Sequence, residues 1–177
     1  MGIHVPLNLL LLRHEKSSHA SHNITDHERP LNEQGNSNAV KISEYMKENR
    51  LKPDQILCST ALRARQTLDP IISAWPGLVV SYKDALYLCT TKTAIEQLRM
   101  VKKAQCVMLV AHNPTMEDLL HQLVDRTTEH KVPLAKAFAP YATGTLTELT
   151  FHKDRWSDLD SSSGQLIQFV PQRTLQE

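Results

Sequence analysis

Nothing in this chain of 177 residues offers the long uncharged apolar run that a membrane-spanning helix requires. The opening stretch MGIHVPLNLLLLRHEK lacks the basic region of a signal peptide, and its apolar part is interrupted by Asn8 and closed by Arg13. It also lacks the Ser or Thr at its sixth residue that a myristoylation signal needs. Charge of one sign is missing too: 20 basic residues stand against 19 acidic ones, a net charge of +1, which gives neither nucleic acid nor an anionic membrane a reason to bind. Three cysteines, Cys58, Cys89 and Cys106, with no C-x-x-C spacing, exclude a disulfide framework and a structural zinc site and fit a reducing compartment. A cytoplasmic protein is expected. No repeat or linker composition divides the chain, so residues 1–177 read as one domain, large enough to bury roughly 70% of its unfolded surface.

What is present is an alternation of strand-like and helix-like segments that predicts an α/β sheet. Leu7–Leu12 reads as an interior strand, and Asn32–Asn49 as a helix with Val40, Ile42, Tyr45 and Met46 as its apolar stripe. Gln55–Cys58 is a short strand, followed by a helix through ALRARQTLDPIISAW that Ser59 or Thr60 caps and Pro70 bends. Val79–Tyr82, Cys106–Ala111, Thr145–Phe151 and Leu166–Val170 read as further strands, and Thr91–Val101 as a helix. Asn113-Pro114 has the cap and first-turn signature of another helix, continuing through MEDLLHQLV.

Arg13 and His14 then fall just past the first strand, Arg63 and Arg65 on the first turns after the second, and His112 just past CVMLVA. Strand ends of an open α/β sheet converge on one crevice, so these distant residues can meet there and, with helix N-termini nearby, form a site for a phosphoryl group. Other readings compete. A histidine at a strand end is commonly structural, and His14, His19, His22 and His27 raise the question of a metal, but three of these fall in an irregular polar stretch. A cysteine phosphatase would need C-x5-R. Cys58 has four residues before Arg63 and six before Arg65, so neither fits.

The segments LLLLRHEKSS, DHERPLNEQG, LCSTALRARQT, LVAHNP and SGQLIQFVPQRTL together resemble the histidine phosphatase superfamily, and within it the small SixA-like phosphohistidine phosphatases, over nearly the whole chain. The resemblance implies the phosphoglycerate mutase-like fold, a three-layer α/β/α sandwich with a mostly parallel central sheet. It implies His14 as nucleophile, Arg13 and Arg63 as phosphate clamps, and His112, protonated, as the second pocket histidine. No metal or other cofactor is implied. The chemistry would be attack of neutral imidazole on phosphorus followed by hydrolysis of the phosphohistidine, with cationic side chains neutralising the equatorial oxygens. Ser17 is a further candidate phosphate ligand, and Arg29 either reaches the mouth of the site or packs its loop.

Two departures bear on detail. The superfamily usually has Gly or Ala after the nucleophilic histidine, and here it is Glu15. A carboxylate about 5 Å from a phosphoryl oxygen costs ~3 kcal/mol at an effective dielectric of 20, roughly a hundredfold in affinity. Glu15 therefore either turns away, pairing with Lys16, Arg65 or another base, or sits protonated in the site as a general acid. Phosphoglycerate mutase-like relatives carry a glutamate after the third strand, whereas SYKDALYLCTT has Asp84 as its one carboxylate. A phosphoramidate substrate lessens the need for an acid. Between Arg63 and His112 the chain leaves no room for a lid insertion, so an open site is expected, suited to a phosphorylated protein such as a histidine phosphocarrier or phosphotransfer domain. A general phosphatase of small phosphoesters and a catalytically weakened phosphate- or phosphoprotein-binding module are the alternatives.

Overall fold

The computed structural model describes residues 5–19 and 23–175, and His22 lies outside them. Six strands form one sheet in the order β3-β2-β4-β1-β5-β6. They are β1 (Leu7–Arg13), β2 (Gln55–Ser59), β3 (Val79–Lys83), β4 (Cys106–Ala111), β5 (Leu146–Phe151) and β6 (Gly164–Val170). The first four run parallel, and β5 and β6 are antiparallel additions, so the sheet is mixed. Four helices cover it: α1 (Glu33–Glu48), α2 (Leu62–Ala74), α3 (Thr91–Arg99) and α4 (Thr115–Leu123).

The run of leucines explains the layering. Leu9, Leu10, Leu11 and Leu12 are all fully buried because β1 lies inside the sheet and both its faces are covered. Side chains alternate across a strand. Leu9 and Leu11 meet Leu98 of α3 and Leu119 of α4 in one core, while Leu10 and Leu12 meet Ile42 of α1 and Leu68 of α2 in the other. At about 2 kcal/mol per buried Leu, this strand alone supplies much of the apolar driving force that joins the three layers. No helix among the described residues is long and apolar enough to cross a membrane.

Helix α1 is capped by Asn32, whose side chain accepts from the Gly35 amide at 2.8 Å, with Glu33 in its first turn and Lys47 in its last, as the helix dipole favours. Gly35 lets this end approach the turn after β1: a Cβ there would stand 2.1 Å from the Lys16 carbonyl oxygen. Several boundaries differ from the expectations. Val40 is 46% exposed, and the buried face of α1 runs instead through Gly35, Asn38, Ala39, Ile42, Ser43 and Met46, so small and polar residues complete it. Helix α2 begins at Leu62 with Ala61 in the cap position, while Ser59 is the last residue of β2. Helix α4 begins at Thr115, because the Asn113 amide donates to Glu117 (3.0 Å) and to the Tyr141 carbonyl (3.1 Å) instead of capping.

Candidate active site

The register of the sheet sets the site. Arg13 pairs with Ala111 across β1 and β4, so the next residue on each strand, His14 and His112, emerges at the same edge. Their ring centroids are 4.9 Å apart, and the His14 amide donates to the Ala111 carbonyl at 3.1 Å. Strand β2 lies beside β4 and brings Ser59, whose hydroxyl is 2.8 Å from Nε2 of His112. All three residues are buried.

His14 is held in one working orientation. Its Nδ1 is 2.7 Å from the Glu15 carbonyl oxygen, which can only accept, so Nδ1 carries the proton and Nε2 keeps its lone pair. That lone pair faces the Nε–H of Arg63 at 3.3 Å. Burial, opposed by the hydrogen bond to Glu15 and reinforced by Arg63, Arg13 and Arg29, pushes the His14 pKa down to about 4. Burial, with His14 and Arg63, pushes His112 down to about 3. Both shifts favour the neutral imidazole at neutral pH. Burial is the main cause, and the positive charge of Arg63 adds to it.

Two atoms here are buried without a hydrogen-bond partner, Nδ1 of His112 and Nε of Arg13. Nη1 of Arg13 donates to the Tyr141 carbonyl at 2.6 Å, which anchors the guanidinium and leaves its other edge unspent. Buried polar atoms left unpaired on residues next to the His14 ring suit an oxygen-rich ligand. Arg63 is also buried. Its Nη1 donates to the Asp26 carbonyl at 2.5 Å and its Nη2 to the Asp26 carboxylate at 3.0 Å.

The remaining candidates divide. Arg29 spends most of its donors inside its own loop, on the Ser18 carbonyl (2.9 and 2.7 Å), the Ser17 hydroxyl (2.8 Å) and Asp26 (2.8 Å). Ser17, as the acceptor from Arg29, keeps its own O–H to donate. Glu15 is fully buried on the far side of the strand end. Its amide donates to the Thr67 hydroxyl at 2.9 Å, and its Oε2 accepts from the Lys16 amide (3.0 Å) and from Asn38 (3.3 Å). Among the described residues no base pairs with it, and burial raises its pKa. Asp84 opens a short turn after β3 with its side chain in solvent, among none of these contacts.

Asp26 and Tyr87 belong to the site and were not singled out from the sequence. The Tyr87 hydroxyl donates to the Asp26 carboxylate at 2.7 Å, and its ring stands edge-on to His112 with centroids 5.5 Å apart. The signal for Asp26 was its position three residues before Arg29 in DHERPLNEQG; Tyr87, in the irregular segment after an edge strand, gave none. His27 closes this rim, its ring 4.8 Å from Tyr87 and its Nε2 2.9 Å from the Thr60 hydroxyl. Among the described residues no three His, Cys, Asp or Glu side chains gather as a metal-binding group.

Residues 9–87 match the model of the histidine phosphatase superfamily, branch 1, a span that includes His14, Arg63 and Tyr87. The chain is 31% identical to the candidate phosphohistidine phosphatase SixA of Agrobacterium tumefaciens, with 94% of this chain and 98% of that one covered and a TM-score of 0.75. A similar assignment from Nakamurella multipartitia superposes with a TM-score of 0.81 at 26% identity, covering 94% and 96%. An uncharacterised protein of Mycobacterium tuberculosis is 29% identical over 161 residues, 89% of this chain and 98% of its own length.

Proposed function

The chain belongs to the histidine phosphatase superfamily, in its SixA-like branch, and on that premise we propose that it is a metal-independent phosphohydrolase acting on protein phosphohistidine through a covalent intermediate on His14. The observation that carries this reading is the fixed tautomer: Nδ1–H on the Glu15 carbonyl, with the Nε2 lone pair turned toward Arg63. Nε2 gives up its hydrogen bond from Arg63, whose N–H passes to a phosphoryl oxygen, and attacks phosphorus as the N–P bond of the substrate breaks. A substrate imidazole protonated on its other ring nitrogen leaves neutral. His14 needs no proton transfer in either half of the cycle, because Nδ1–H stays in place while Nε2 gains and then loses the phosphoryl group. Water attacks in the second half, its proton leaves with the phosphate, and one difficult displacement becomes two easier ones.

Arg13, Arg63 and Nδ1 of His112 supply the donors for the equatorial oxygens, His112 taking its proton once phosphoryl charge is present to hold it. The N–P leaving group favours this substrate over an ester, since Asp84 is exposed outside these contacts and Glu15 is buried against helices α1 and α2. The test compares a phosphorylated histidine phosphocarrier with p-nitrophenyl phosphate as substrates of the same preparation. Faster turnover of the phosphoprotein, unchanged by EDTA, is expected. Preference for the ester would favour a general phosphomonoesterase, binding without turnover a phosphoprotein-binding module, and loss in EDTA restored by zinc or magnesium would end the metal-free mechanism.

A further inference from the structure

We propose that Asp26 is a positioning residue, gripping the outer end of the Arg63 guanidinium so that its inner N–H is held beside the reacting nitrogen of His14, where an oxygen of the transferring phosphoryl group would meet it; the inference rests on the function proposed above. A guanidinium is planar, so fixing two of its nitrogens fixes the direction of the third. Asp26 does this with two different acceptors, its backbone oxygen on Nη1 at 2.5 Å and its carboxylate on Nη2 at 3.0 Å. Nε–H is then left pointing at Nε2 of His14, 3.3 Å away.

The grip is itself held from two sides. Oδ1 of Asp26 accepts from Arg29 at 2.8 Å, and Arg29 is tied to the Ser18 carbonyl and the Ser17 hydroxyl. Oδ2 also accepts from Tyr87 at 2.7 Å, and the Tyr87 ring lies between His112 and the Arg63 guanidinium, 5.5 Å from one and 5.9 Å from the other. The loop carrying Asp26 is thereby coupled to both pocket histidines. An ordinary surface ion pair contributes little, but here one partner, Arg63, is only 5% exposed and its direction bears on the chemistry. The Tyr87 hydroxyl, with the two arginines, holds the Asp26 carboxyl well below the usual carboxylate range, so it stays ionised. The opposite role, a carboxylate that blocks the clamp against phosphate, makes contrary predictions.

The experiment separates geometry from charge with three variants, assayed for kcat and KM on p-nitrophenyl phosphate and for tungstate binding by calorimetry. Asp26→Ala frees the guanidinium and should lower kcat by about ten- to a hundredfold, the range for a misplaced catalytic group, with KM changed less than about threefold. Asp26→Asn keeps an oxygen acceptor in place without the charge and should stay within about fivefold of wild-type kcat, binding tungstate at least as tightly. Asp26→Glu keeps the charge but shifts the acceptor by a methylene, and should resemble Asp26→Ala. Wild-type or higher kcat for Asp26→Ala overturns the inference, as does wild-type kcat for Asp26→Glu with a slow Asp26→Asn. If the wild type hydrolyses no phosphoryl substrate, the proposed function fails instead, and tungstate decides here: weaker binding by Asp26→Ala but not Asp26→Asn upholds positioning, and equal binding by all overturns it.

Discussion

Two carboxylates flank the chemistry of His14 and live in opposite worlds. Glu15, next to it in sequence, is fully buried behind the strand end, half satisfied, with a raised pKa. Asp26, twelve positions along, is 46% exposed in front of it, bonded to two arginines and a tyrosine, with a lowered pKa. Strand geometry explains the contrast. Successive residues leaving a strand point to opposite sides, so the neighbour of a pocket histidine is the residue least able to share its pocket, while a loop returning over the strand end can reach it. On the proposed function the region behind His14 is scaffold and the region in front is machinery.

The largest expected effect tests the scaffold. Gly144 has φ +70°, and a Cβ on it would stand 1.8 Å from Oε1 of Glu15. Gly144→Ala should cost about 3 kcal/mol in denaturant unfolding, from the left-handed backbone and the overlap together. Adding Glu15→Ala should recover the part due to overlap. No recovery would mean that Gly144 does not make room for Glu15.

In front, Arg63→Ala and Arg13→Ala should each lose at least ~2 kcal/mol of transition-state stabilisation, read from kcat/KM, while unfolding midpoints move little. A large loss of stability without loss of turnover would reverse the assignment of the two regions.

The regions should also differ in the sign of their pH response. His14 and His112 lie at about 4 and about 3 in the fold, against 6.5 for ordinary histidine. Below pH 6.5 the unfolded chain takes protons that the fold refuses, so stability falls as pH falls. At pH 5 His14 alone accounts for about 2 kcal/mol. Glu15 works the other way: its raised pKa gives stability that is present at low pH and lost as pH rises through the folded value. Unfolding midpoints from pH 7 to pH 5 should show a weaker acid loss in His14→Gln than in the wild type. An unchanged slope would remove His14 as its source.

The smallest effect concerns Glu15→Gln, which keeps the shape and removes the charge. It should leave turnover within about threefold and gain in unfolding midpoint on the wild type as pH rises. Loss of turnover matching Arg63→Ala would make Glu15 part of the machinery.

Much of this was legible in the sequence, for identifiable reasons. Apolar runs bounded by polar residues located β1 and β4, and the histidines that follow them meet because parallel neighbours end at one edge. Strand direction was not legible in β5 and β6, since alternation of side chains reads the same either way. The inner face of α1 was misread at Val40 because Gly35, Asn38 and Ser43 are buried there for close packing and hydrogen bonding, which hydrophobicity does not report. Asp26 was missed because a loop carboxylate looks solvated until the fold lays it on Arg63, and Glu15 drew attention through an adjacency that the strand cancels.

The central claim is that Nε2 of His14 carries the phosphoryl group. The direct measurement is rapid mixing with a phosphorylated histidine phosphocarrier, quenching under alkaline denaturing conditions that preserve phosphohistidine, and locating the phosphoryl group by mass spectrometry. The account predicts a transient phosphohistidine at His14 that forms and decays fast enough for turnover and is absent from His14→Ala. Phosphorylation at another residue, or full turnover by His14→Ala, would contradict it.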